Sequence, residues 1–269
     1  MTKETINFEN KAEHQDMGLD RLKDYLKLEA EEMRKNGVPV GLNGRIDPNA
    51  YINFYSERVI NEDRQAVSDL KLILEGEENN LSNKREQRIG EQLELLATAV
   101  LSLYLKDRYY VMRSSEYDDL KHKVDTILFD KRTGQVVCAF DEVGDTSSER
   151  FKKKKEEILA IDRERNGTHL KYGLELDPKT LKVKPGRNYN IPIFYICVAP
   201  DIVKKCVEEF TPDKNQKNNK NLFEYFLYLL SFQTKEMVLK SGHLKPEMIK
   251  KMSSFEKSLK DYFLIKTNI

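Results

Sequence analysis

The hydrophobic pattern divides the chain into a helical stretch, a strand-rich centre and a second helical stretch. In "LDRLKDYLKLEAEEMRKNG" apolar positions recur at helical spacing, and Gly37 supplies a stop signal. "VPVGLNGRIDPNAYINF" interrupts with proline and glycine and reads as a loop, and "EGEENNLSNKRE" reads as a polar connector. A second helix follows, because Ile89, Leu93, Leu96, Val100 and Tyr104 recur in steps of three and four and so form one apolar stripe that must face a core. From about residue 109 the period changes to two. "YYVMRS", "KVDTILF" and "QVVCAF" read as strands, and "DKRTG" is short enough to force the last two into an antiparallel hairpin.

Helical spacing returns in "SSERFKKKKEEILAIDRERNG", with Ser147 or Ser148 as N-cap and Gly167 as C-terminal stop. "HLKYGLEL" and "IPIFYICVA" read as further strands, with "DPKT" and "KPGRN" as turns. From about residue 201 the chain is helical and lysine-rich, and partly linker-like at "TPDKNQKNNKN". The expected fold class is α/β, a small mixed sheet flanked by helices. The expected division is a helical N-terminal extension over 1–85, an α/β core over 86–210 and a lysine-rich helical segment over 211–269.

Composition adds little direction. The chain has 269 residues, and its 46 Lys and Arg nearly cancel its 45 Asp and Glu, so bulk charge favours no partner and only local patches could attract nucleic acid. "LLATAVLSLYL" and "IPIFYICVA" fall short of the ~20 apolar residues of a membrane span, and "MTKETINFENKAEH" has no apolar signal core, so no membrane association and a cytoplasmic location are expected. Cys138, Cys197 and Cys206 lie in or beside apolar segments without CxxC spacing, which suits reduced core residues.

The chemistry sits in "KVDTILFDKRTGQVVCAFDEV". Residues two apart in a strand share a face, so Lys123, Asp125, Ile127 and Phe129 would lie together, as would Val137, Ala139, Asp141 and Val143. An ionised carboxylate among apolar neighbours is costly unless it is hydrogen-bonded or binds a cation. Acids on adjacent strands therefore suggest a divalent-metal site, against the plainer reading that both strands simply emerge into solvent.

The order helix, three-stranded meander, helix, strand, with Asp125 on the second strand and an acidic pair closing the third, resembles the PD-(D/E)XK nuclease superfamily over roughly residues 86–200. The resemblance implies a restriction-endonuclease-like core and Mg²⁺- or Mn²⁺-dependent hydrolysis of phosphodiesters in DNA or RNA. It assigns Asp125 the first motif position. The third-strand acid is Asp141, with Val143 in the lysine's place, or Glu142, with Gly144 there. Glu94 or Glu91 would be the first-helix acid, and Asp125, Asp141 and Glu142 the metal ligands. In the family the lysine is held to position the attacking water and steady charge on the phosphate. Both registers lack it, which leaves Lys123 and the Lys152 to Lys155 run as substitutes. Lys123, two residues before Asp125, is the nearer by strand geometry.

The missing lysine also supports an alternative, a catalytically inactive module of this fold that binds nucleic acid or protein. Weaker candidates are His122, the only histidine near the acids, Asp118 and Asp119 in the preceding loop, and Tyr109, Tyr110 and Tyr117, which could stack on bases but more commonly pack. Oligomeric state is not legible.

Overall fold

The computed structural model describes residues 3–77, 81–144, 149–239 and 244–267. Three helices come first, α1 (Lys3–Lys35), α2 (Glu57–Glu77) and α3 (Leu81–Leu105), with a 3-10 turn at Pro48–Tyr51 in the loop between α1 and α2. The centre holds β1 (Tyr109–Arg113), α4 (Glu116–His122), β2 (Thr126–Asp130), β3 (Gln135–Val143), α5 (Glu149–Arg165), β4 (Thr168–Leu176), β5 (Val183–Ile191) and β6 (Ile193–Cys197). Helices α6 (Pro200–Glu208), α7 (Lys217–Leu239) and α8 (Pro246–Thr267) follow.

The main sheet has the order β1-β2-β3-β6, antiparallel except for the parallel β3–β6 pair, and β4 and β5 form a separate hairpin. The fold is therefore α/β with a small mixed sheet. Its strands are buried on both faces, so "TILFD" and most of "QVVCAFDEV" read as nearly continuous apolar runs. On one face Val111, Leu128, Cys138, Phe140, Phe194 and Ile196 pack against α3, α6, α7 and α8. On the other, Met112, Ile127, Phe129, Ala139 and Ile193 pack against α5, the β4–β5 hairpin and the loop after α1. The first of these cores runs from Leu22 of α1 to Leu259 of α8, so the outer helical segments share it with the strands.

Local chemistry sets the β2–β3 turn. Asp130 accepts hydrogen bonds from the Arg132 and Thr133 N–H groups and is ion-paired with Arg108 at 2.9 Å. Gly134 has a φ of 67°, and a Cβ there would meet the Leu176 side chain at 2.4 Å, so the position needs glycine twice over.

Four expectations need correction. "KPGRN" is the middle of β5 and not a turn; its proline and glycine are tolerated because β5 pairs on one side only, with β4. Asp118 and Asp119 lie in helix α4 and not in a loop, with the Ser115 hydroxyl accepting from the Asp118 N–H as N-cap. Lys123 is the left-handed C-cap of α4, φ 60°, so it does not share a strand face with Asp125. A register shift between Leu128 and Phe129 pairs Leu128 with Cys138 but Phe129 with Val136, which turns Val137 to the α3 face, away from Ala139. "TPDKNQKNNKN" gives way to α7 from Lys217. The proposed caps Ser147 and Ser148 lie outside the described residues.

Candidate functional site

Asp125 immediately precedes β2, and its backbone extends the ladder on both sides: the Ser114 N–H donates to its carbonyl at 2.8 Å, and its own N–H donates to the Phe140 carbonyl at 2.9 Å. Thr126 pairs with Phe140, so the register places Asp125 opposite Asp141 on the face that packs against α5. The two line one cleft of about 500 Å³ with Asp119, Leu120, Lys123, Lys153, Lys154 and Glu157. From α5, the Lys154 ammonium is ion-paired with Asp141.

Glu142 alternates to the α3 face. Its backbone N–H donates to Asp125 Oδ2 at 2.8 Å, and its buried carboxyl lies against Asp125 as well as near Glu94 and Thr126. Helix α3 packs against Cys138 and Phe140, so it approaches the Glu142 face of β3 and not the face of Ala139 and Asp141. Glu94 itself is clamped: one oxygen accepts from Arg45 at 2.7 Å and from Arg113 at 2.6 Å. Arg45 also reaches Asp119 at 3.0 Å. Glu91 is exposed.

The charges interact strongly. Burial opposes ionisation of Asp125, but the Lys154 charge and the Glu142 N–H outweigh it and hold this carboxyl below the usual aspartate range. Burial, reinforced by the charge of Asp125 and only partly relieved by Lys154, pushes Asp141 up to about 8. Burial and Asp125 likewise push Asp119 up to about 8. Glu142 is raised well above its ordinary value by burial and by the Asp125 and Glu94 charges. Lys154 resists the effect of burial because Asp141 and Asp125 hold its proton, and its pKa lies above the ordinary lysine value. Asp125 and Lys154 thus keep their charges, while burial and mutual repulsion raise the pKa of Asp141, Asp119 and Glu142.

Comparison with protein-family models, with curated proteins and with solved structures finds no match. The geometry therefore carries the functional reading.

Among the described residues no group of three or more His, Cys, Asp or Glu side chains is arranged to hold a metal ion. The donor set is smaller, Asp125 and Asp141 on one face. Among the described residues the buried oxygens of Asp141 have only Lys154 and Asp125 for polar partners, and those of Glu142 only Asp125 and Thr126, so they are poorly supplied with donors. Such buried oxygens are costly and suit a cation. Mg²⁺ commonly takes only one or two protein carboxylates, completing its shell with water and substrate phosphate, so the residues present fit it.

Several sequence candidates lie elsewhere. Lys123 lines the cleft but makes no ion pair among the described residues, whereas Lys154 does. The signal for Lys154 was its place in the Lys152 to Lys155 run, since helical periodicity turns one lysine of four inward. His122 hydrogen-bonds the buried Asp118 at 2.8 Å and stands outside the carboxylate cleft. Asp118 also accepts from the Lys171 and Tyr172 N–H groups, which makes it the joint between α4 and β4. Tyr109 is buried, Tyr110 lies under Lys131, and Tyr117 faces a different cavity. That cavity, about 690 Å³ between the loop after α1 and α2, is larger than the carboxylate cleft. Its charged groups already have partners: Asp63 binds Lys171 and the Tyr172 hydroxyl, and Lys71 pairs with Glu116.

No described helix is long and apolar enough to cross a membrane. All three cysteines are free and buried.

Proposed function

We propose that the protein is a PD-(D/E)XK-like nuclease with a restriction-endonuclease-like core, cleaving phosphodiester bonds in DNA or RNA with Mg²⁺ or Mn²⁺. The observation that carries this reading is the convergence of Asp125 at β2, Asp141 on β3 and Lys154 on α5 in one cleft. It restores from the following helix the lysine that the third strand lacks.

Asp125 and Asp141 would hold the ion, which when bound supplies positive charge to the phosphate and lowers the pKa of a coordinated water. The Glu142 N–H keeps Asp125 ionised and oriented toward the cleft. Lys154 carries a full positive charge beside both acids and would orient the attacking water or offset charge developing on the phosphate. Lys153, also lining the cleft, would guide the nucleic-acid backbone inward. Glu94 serves here by fixing Arg45 and Arg113, which tie α3 to β1 and to the loop after α1.

That clamp also favours a second reading. An acid committed to two guanidinium groups is withdrawn from metal chemistry, as in a nuclease-fold module that binds nucleic acid or protein without cutting. Incubating the purified protein with single- and double-stranded DNA and RNA, in Mg²⁺, in Mn²⁺ and in chelator, separates the two. Metal-dependent cleavage that Asp125→Ala abolishes supports the nuclease. Binding with no cleavage of any substrate supports the module.

A further inference from the structure

The carboxylate cleft continues into a second, smaller one. Lys123 and Glu157 line both the 500 Å³ cleft and an adjoining groove of about 210 Å³, whose far wall is made by His122, His169 and Tyr189. These rings form a ladder. The His122 and His169 centroids are 3.8 Å apart with the rings tilted by 47°, and the His169 and Tyr189 rings are nearly parallel, 6.2 Å apart and tilted by 17°, so His169 and Tyr189 supply the stacked faces and His122 braces them. His169 is on β4 and Tyr189 on β5, facing each other where the hairpin register shifts between Thr168 and Leu170. His122 is anchored from behind by buried Asp118, and the Tyr189 carbonyl is held by Lys251 of α8 at 2.7 Å.

Two further features set this groove apart from ordinary hairpin packing. Tyr189 is 55% exposed at the end of the ladder, although it belongs to a chain whose other large aromatics are mostly buried. The backbone around the groove is also unusual. Four described non-glycine residues have positive φ, and three of them flank this groove: Lys123 (60°), Asn190 (50°) and Asn166 (57°), which adjoins Gly167. Lys123 is the left-handed cap of α4 and Asn166 directly follows α5, so the groove is bounded by two helix ends. Lys121 and Lys123 are exposed at the rim.

We propose that the His122–His169–Tyr189 ladder is a stacking subsite for an unpaired nucleobase belonging to the strand whose phosphate enters the Asp125–Asp141 cleft. This rests on the nuclease-fold reading of that cleft. Aromatic faces bind bases of any identity through their π surfaces, and only an unpaired base offers a free face, because a duplex buries both in its own stack. Lys121 and Lys123 meet the backbone between the stacked base and the phosphate in the cleft. The subsite thus selects single strands, or duplexes with an extruded base, over intact duplex.

The test uses a short single-stranded oligonucleotide, as DNA and as RNA, carrying 2-aminopurine at successive positions, with Ca²⁺ in place of Mg²⁺. On the wild-type protein the fluorescence of one position is quenched on binding, and an intact duplex of the same sequence competes poorly. Tyr189→Ala weakens binding by roughly 5- to 150-fold and removes the quench, the loss expected for one base–aromatic stack. Tyr189→Phe keeps the ring and binds as wild type, and both variants melt at the wild-type temperature because the side chain is exposed. Unchanged affinity and quench in Tyr189→Ala, or no quench in the wild type, overturns the subsite even if metal-dependent cleavage is present. Tyr189-dependent binding without any metal-dependent cleavage leaves the subsite standing and removes the nuclease.

Discussion

Lys154 on α5 is ion-paired with Asp141 on β3, and the pair sits beside the firmly ionised Asp125. Arg45 is paired with Asp119 of the same cleft, so Lys154 is the described cation that reaches the Asp125–Asp141 pair, while Lys123 and Lys153 line the space without a described ion pair to its acids.

Replacing that cation is the most direct check of the chemistry. Lys154→Met lowers the single-turnover cleavage rate by on the order of 10² to 10⁴, the range for a group that assists proton transfer or steadies transition-state charge. Lys123→Ala weakens substrate binding but leaves the single-turnover rate at saturating protein nearly unchanged. The reverse ranking would return the role to Lys123.

The raised acids make stability depend on pH in a defined direction. Asp141 and Asp119 hold their protons to about 8 in the folded protein, whereas unfolded aspartate titrates near 3.9. Between those values the folded state binds more protons than the unfolded one, so stability falls as pH rises through this window. Each proton so held contributes at most about 1.4 kcal/mol per pH unit. Asp125 has the opposite sign: its depressed pKa stabilises at neutral pH, and that contribution fades only as pH drops below about 4. Melting temperature in chelator therefore declines from about pH 5 to 8, and Asp141→Asn flattens the decline. Added Mg²⁺ raises the melting temperature most at the alkaline end, where the acids have lost their protons. A profile identical in wild type and Asp141→Asn contradicts the electrostatic account.

Arg45 ties the loop after α1 to α3 through Glu94, to α4 through Asp119 and to the link between β1 and α4 through the Ser114 carbonyl. Arg45→Met leaves Glu94 with Arg113 alone and Asp119 without its cation, and destabilises by about 1 to 3 kcal/mol, measured by urea unfolding. A loss below about 1 kcal/mol, the value of an exposed pair, places this contact in effective solvent.

Nucleic-acid binding carries its own signature. Lys152 and Lys153 are exposed on α5 beside the cleft, and the segment from Lys214 to Lys260 adds further lysines. Affinity falls about tenfold or more between 50 and 200 mM salt as counterions are released, and Lys153→Glu shallows that dependence. Salt-independent association points to a protein partner.

Much of the strand architecture was written in the period of the chain. The Ile89 to Tyr104 stripe and the "DKRTG" hairpin follow from spacing alone, because burial fixes which residues must face inward, whereas spacing left Asp141 and Glu142 open as the partner of Asp125. The errors share a cause. "KPGRN" carries turn residues but is pinned in β5 by long-range pairing with β4, and no local signal reports a partner that distant. The bulge at Val137 and the left-handed cap at Lys123 are single-residue events that defeat strand alternation. Lys154 could not be distinguished within four consecutive lysines until the phase of α5 against the sheet was known.

The parallel pairing of β3 with β6, and the closure of α8 over the sheet through Phe255 against Phe194, have a consequence for the way the protein is made. Asp141 and Glu142 leave the ribosome long before the strand and helix that bury β3. Until those later residues emerge, the β3 edge stays open, so the strand is fully buried only once β6 and α8 have been made, and in the interval its edge can pair with another chain.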